Sequence, residues 1–77
     1  MSRLIPVSWK ILECIFLKAG FKFIKQRGSH RTYHKPGILR PIVIPTYKEI
    51  SVSIIKNNIR TACMDMDTYF KYLEECK

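Results

Sequence analysis

The residues best suited to chemistry in this chain lie together in Gln26-Arg27-Gly28-Ser29-His30-Arg31. An unperturbed histidine ionises at about pH 6.5, so it can take up and return a proton near neutrality. RNA carries its own nucleophile, the 2′-OH beside each phosphate. Cleaving it needs a base for that proton and positive charge to steady the phosphorane oxygens. His30 offers the first, and the flanking Arg27 and Arg31 offer the second. DNA lacks the hydroxyl, so chemistry of this kind selects RNA. On Gly28-Ser29-His30 alone, an idle surface histidine beside a turn is the plainer reading, and it applies more strongly to His34. A metal site built on His30 and His34 would lack an acidic or cysteine ligand nearby, so no metal or other cofactor is expected.

The charge around this run has one sign. From Lys18 to Lys48 every Asp or Glu is missing, whereas Asp65, Asp67, Glu74 and Glu75 gather near the C-terminal end. The whole chain carries 14 Lys and Arg against 6 Asp and Glu, a net charge of +8. A long basic block interleaved with aromatic residues is the electrostatic footprint of a nucleic-acid binder. Lys22, Lys25, Arg27, Arg31, Lys35 and Arg40 are the candidates to meet phosphates, with Gly28 and Ser29 shaping the turn.

The elements that must position these residues follow from spacing. Ser8 is a good N-cap, and Ile11, Leu12, Ile15, Phe16 and Ala19 recur with helical period up to Gly20, which predicts a helix over 9–19. Aromatic and β-branched residues then predict a strand over 21–27 and a second over 30–35, separated by Gly28-Ser29. After Pro36-Gly37 a third strand is expected over 40–44, near a sheet edge because Pro41 and Pro45 have no N–H to donate. Helical spacing returns at Val52, Ile55, Ile59 and Ala62, with Ser51 or Ser53 as cap. A short last helix follows, capped by Asp65 or Asp67. The expected class is α+β, in the order α-β-β-β-α(α), with a three-stranded antiparallel meander and helices on one face. In the second strand Tyr33 is the large apolar residue, so its side should face the core. His30, Thr32 and His34 then point to the open face, unless a bulge at Gly28 shifts the register.

Seventy-seven residues read as one domain, 1–77, with modest stability on the order of 5 kcal/mol and little interior for a deep pocket. Cys14, Cys63 and Cys76 are odd in number and widely spaced, which predicts reduced thiols rather than a disulfide framework or a zinc site. Lys10, Glu13 and Lys18 interrupt the apolar N-terminal stretch too often for a signal peptide, and no run is long enough to span a bilayer. A soluble, cytoplasmic protein is expected.

Taken in order, several motifs resemble the HicA toxin family, also called YcfA-like proteins. They are Lys18-Ala19-Gly20-Phe21 at the end of the first helix and Lys25-Gln26-Arg27-Gly28-Ser29-His30 entering the second strand. Tyr33-His34-Lys35-Pro36-Gly37, Ile42-Val43-Ile44-Pro45 and the helix around Ile55 and Ile59 complete the series. The resemblance implies a double-stranded-RNA-binding-domain-like fold and the toxin of a type II toxin–antitoxin system. It further implies a metal-independent endoribonuclease (an mRNA interferase) with His30 catalytic, and neutralisation by a HicB-type antitoxin protein. Two positions depart from the family pattern. Tyr47 stands where members often carry a histidine, and Cys63 where a glycine commonly ends the second helix. A non-catalytic RNA-binding module on the same fold, with His30 idle, is the alternative. A pure protein-interaction domain would leave the basic block without a purpose.

Overall fold

The computed structural model describes residues 3–77. Its elements are α1 (Trp9–Lys18), β1 (Lys22–Arg27), β2 (His30–His34), β3 (Ile42–Pro45), α2 (Val52–Thr61) and α3 (Met66–Cys76). The strands form one antiparallel sheet in the order β1-β2-β3, so β2 is central. Three helices and an open antiparallel sheet make this an α+β fold.

Local sequence fixes the helix ends. Side chains of Ser8, Ser51 and Asp65 accept the Ile11, Ile54 and Thr68 amides, each satisfying a donor that a helix start leaves free. That bond leads the effects holding the Asp65 carboxyl below its usual range. The α1 and α2 C-termini share one device. Gly20 has φ 101°, with the Gly20 and Phe21 amides donating to Leu17 and Phe16. Cys63 has φ 54°, with the Cys63 and Met64 amides donating to Arg60 and Ile59. Both are left-handed caps with paired reverse hydrogen bonds, and only the first uses the residue that adopts this backbone without strain.

The core lies between the helices and one sheet face. Leu12, Ile15 and Phe16 of α1, Ile55 of α2 and Tyr69 of α3 are buried with Tyr33, Ile42 and Ile44 of the sheet. On the third strand the expectation needs correcting: it runs over Ile42–Pro45, not 40–44. Pro41, which cannot donate to β2, lies outside the ladder. Phe21 likewise sits just before β1, buried and edge-on to Phe16 with ring centroids 5.6 Å apart. The last helix is eleven residues long rather than short.

The expectation of reduced cysteines is overturned in part. Cys14 and Cys76 form a disulfide across 62 residues of sequence, while Cys63 is free and exposed. α1 and α3 pack side by side, which brings the two Cα atoms to 5.9 Å, within bridging range. Lys18 and Glu75 pair at 3.3 Å along the same seam. Linear spacing carries no information about such a tertiary neighbour. No helix among the described residues is long and apolar enough to cross a membrane.

Candidate nucleic-acid interface

The Gly28-Ser29 turn joins β1 to β2, with Arg27 and His30 as the closing pair. Gly28 has φ 54° and Ser29 is not in the positive region, the glycine-first pattern that matches the twist of a two-residue hairpin. Two bonds pin the turn's carbonyls. Thr46 N–H donates to the Ser29 oxygen at 2.7 Å, and Gln26 Nε2 donates to the Gly28 oxygen at 2.8 Å.

Cross-strand partners share a face, their Cβ atoms about 4.5–5.5 Å apart. Arg27 stands opposite His30, Lys25 opposite Thr32 and Lys22 opposite His34. On the other side Thr32 pairs with Val43 and His30 with Pro45. The open face therefore carries Arg27 and His30 in one row, Lys25, Thr32 and Val43 in the next, and Lys22 with His34 in the third. Lys22, Lys25, Arg27, Gly28, Ser29, His30 and His34 are all exposed. Among the described residues no side-chain hydrogen bond or ion pair engages the His30 imidazole.

A bulge produces this arrangement. Phe23 pairs with Tyr33 and Lys25 with Thr32, so Ile24 is an extra residue in β1. Under strict alternation Lys25 and Arg27 would share a side with Phe23, which stacks edge-on against the core residue Tyr33. The extra residue turns both cations to His30's face. The register does shift, at Ile24 rather than at Gly28.

Arg31 and Lys35, expected among the phosphate contacts, do not share this face. They follow the parity of Tyr33 and turn toward the helices. Arg31 Nη2 pairs with Glu13 Oε2 at 3.0 Å, its Nη1 donates to Gln26 Oε1 at 2.7 Å, and its Nε donates to the Tyr33 hydroxyl at 2.9 Å. Its guanidinium lies 4.2 Å from the Phe23 ring centroid and 5.2 Å from that of Trp9. The Tyr33 hydroxyl in turn donates to the Glu13 carboxylate. Burial first, and then this bond, push the Tyr33 phenol up to about 12. Hydrogen bonding to Tyr33 leads the effects that raise Arg31 further above its ordinary value. Lys35 Nζ lies 6.0 Å from the Phe21 ring centroid, and its side chain runs past Gly20. Arg40 is exposed in the β2–β3 loop, and Tyr47 is exposed beyond β3.

Glu13, Trp9 and Gln26 are the partners that the strand pattern alone does not supply. The i, i+4 spacing of Trp9 and Glu13 sets them on one side of α1, which is the trace they leave in the sequence. Among the described residues no three His, Cys, Asp or Glu side chains come together as a metal-ligand group.

These features define an α+β protein with a basic, uncovered sheet face and a free histidine at the edge of its hairpin turn. The sequence model of the family described as the HicA toxin of bacterial toxin–antitoxin systems matches residues 9–63, from the start of α1 to the cap of α2. The chain belongs to the HicA toxin family, and membership makes it the toxin of a toxin–antitoxin pair. α3 and Cys76 lie outside the matched segment. No curated protein sequence matches the chain.

Proposed function

We propose that this toxin is a metal-independent endoribonuclease acting on mRNA in the cytoplasm, with residues 1–77 working as one domain. His30 takes the proton of a ribose 2′-OH. The 2′-oxygen then attacks the adjacent phosphorus, the bond from phosphorus to the 5′-oxygen breaks, and the leaving oxygen takes up a proton. A 2′,3′-cyclic phosphate and a 5′-OH remain. Arg27 stands nearest in register to steady the phosphorane oxygens, while Lys25 and Lys22 hold the flanking strand. The observation that carries this reading is an exposed, unengaged His30 in the same row as a free arginine. Product analysis tests it. Oligoribonucleotide fragments should carry a 2′,3′-cyclic phosphate, and a 2′-deoxy ribose at the cut should block cleavage there. Fragments ending in 5′-phosphate would refute this chemistry.

The same face suits an antitoxin of HicB type. An acidic protein laid over Lys22, Lys25 and Arg27 would replace RNA phosphates with carboxylates and bury His30, with fast, salt-sensitive association. RNA and antitoxin should then compete for His30→Ala protein, and simultaneous, independent binding would move inhibition to another surface. The alternative, a non-catalytic RNA-binding module, draws on the same basic face and is separated from the enzyme by the product test.

A further inference from the structure

The helix side of the hairpin carries an unbroken chain of polar contacts that ends on the turn before His30. Glu13 holds Arg31 at 3.0 Å, Arg31 holds Gln26 at 2.7 Å, and Gln26 holds the Gly28 carbonyl at 2.8 Å. The first link is anchored in α1 and the last lies two residues from His30. The aromatic rings of Trp9 and Phe23 flank the guanidinium, so it has little freedom to swing away. Gln26 closes the chain. Its carbonyl oxygen accepts from Arg31 while its amide donates to Gly28, a pair of roles neither a carboxylate nor an ammonium can fill. The neighbouring carbonyl of Ser29 is already fixed by Thr46, so Gln26 adds a restraint on the turn's other carbonyl.

We infer that Gln26 is a positioning residue, held by Glu13 through Arg31, that locks the Gly28-Ser29 turn and thereby sets the direction of the His30 side chain. The inference rests on His30 acting as the base in the proposed reaction. A base must meet the 2′-OH within hydrogen-bond reach, and a misplacement of about 1 Å can cost on the order of 10²-fold in rate. Gln26 lies on the opposite side of the strand from Arg27 and has no part in holding phosphate. Loosening it should therefore lower kcat and leave KM in place.

Two substitutions separate the links. Gln26→Met keeps length and loses both bonds. Gln26→Glu keeps the acceptor for Arg31 but loses the donor to Gly28, so it removes the last link alone. In protein free of RNA, both variants should shift the Gly28, Ser29 and His30 amide resonances and raise the fast backbone mobility of the turn. In cleavage assays kcat should fall about tenfold to a hundredfold with the KM of Gln26→Met within about twofold of native. Native turn mobility and native kcat in Gln26→Met would overturn the relay, as would a mobile turn with unchanged kcat. His30→Ala, assayed alongside, distinguishes the two failures. If it is inactive while Gln26→Met cleaves normally, only the relay is wrong. If it cleaves like the native chain, the reading of His30 falls and the relay's catalytic role falls with it.

Discussion

The two sides of β2 differ in how completely their polar groups are answered by the protein. On the helix side Arg31 and Tyr33 are paired, stacked and bonded to Glu13. On the open side His30, Arg27, Lys25 and Lys22 face solvent with none of these restraints. Five consecutive residues thus alternate between a set that holds the fold and a set left available to a ligand. Arg27 and Arg31 look alike in sequence, yet strand register turns Arg27 to the open face and Arg31 to the helices.

That contrast can be broken experimentally. The largest effect on stability should come from Tyr33→Ala, at about 3–5 kcal/mol, because it opens a cavity in the core and removes the hydroxyl that bridges Arg31 and Glu13. His34→Ala, on the other side of the same strand, should stay within about 0.5 kcal/mol by thermal or denaturant unfolding. Reducing the Cys14–Cys76 disulfide should cost about 2–4 kcal/mol and lower the thermal midpoint, since the link closes a long loop. The cleavage rate measured well below that midpoint should hold, because the bridge is confined to the helix layer.

Alkaline titration sharpens the comparison. Tyr33 and Tyr69 are both pushed up to about 12, in each case chiefly by burial. A phenol whose folded pKa is raised contributes stability that is fully present below its unfolded value of about 10, and it is lost as pH rises through about 12. Ultraviolet titration should show two late-ionising tyrosines, with unfolding stability falling over the same interval. RNA binding gives a smaller test. If about four phosphate contacts form, the log–log slope of affinity against salt should be about −3, and Arg27→Ala should reduce its magnitude by about 0.7. Arg31→Ala should leave the slope unchanged and lower the thermal midpoint instead. A gain rather than a loss should come from Cys63→Gly, which relieves the left-handed cap of α2 and should stabilise the protein by about 1 kcal/mol.

Much of the scaffold is legible because it depends on near neighbours. Ser8, Ser51 and Asp65 cap helices through amides three residues on, Gly20 stops α1, and the Tyr33 parity orients β2. What escaped depends on residues distant in sequence or on a single inserted one. The bulge at Ile24 leaves no mark in an alternating run of aromatic and basic residues, yet it decides that Lys25 and Arg27 stand with His30. Glu13 meets Arg31 only because α1 crosses the sheet at that point, and Cys14 meets Cys76 only because α3 lies along α1. The type of the candidate site is therefore readable from the Gly28-Ser29-His30 run and its charge. Its membership is set by tertiary register.

One comparison reaches the central claim most directly: purified His30→Ala and native protein, assayed together for RNA cleavage and for thermal unfolding. The exposed imidazole holds nothing in the fold, and losing a general base typically costs about 10²–10⁴ in rate. Cleavage should therefore fall by that factor while the unfolding midpoint stays where it is. Cleavage at the native rate, or a loss that tracks a collapsed midpoint, would contradict the assignment of His30 as the residue that cuts.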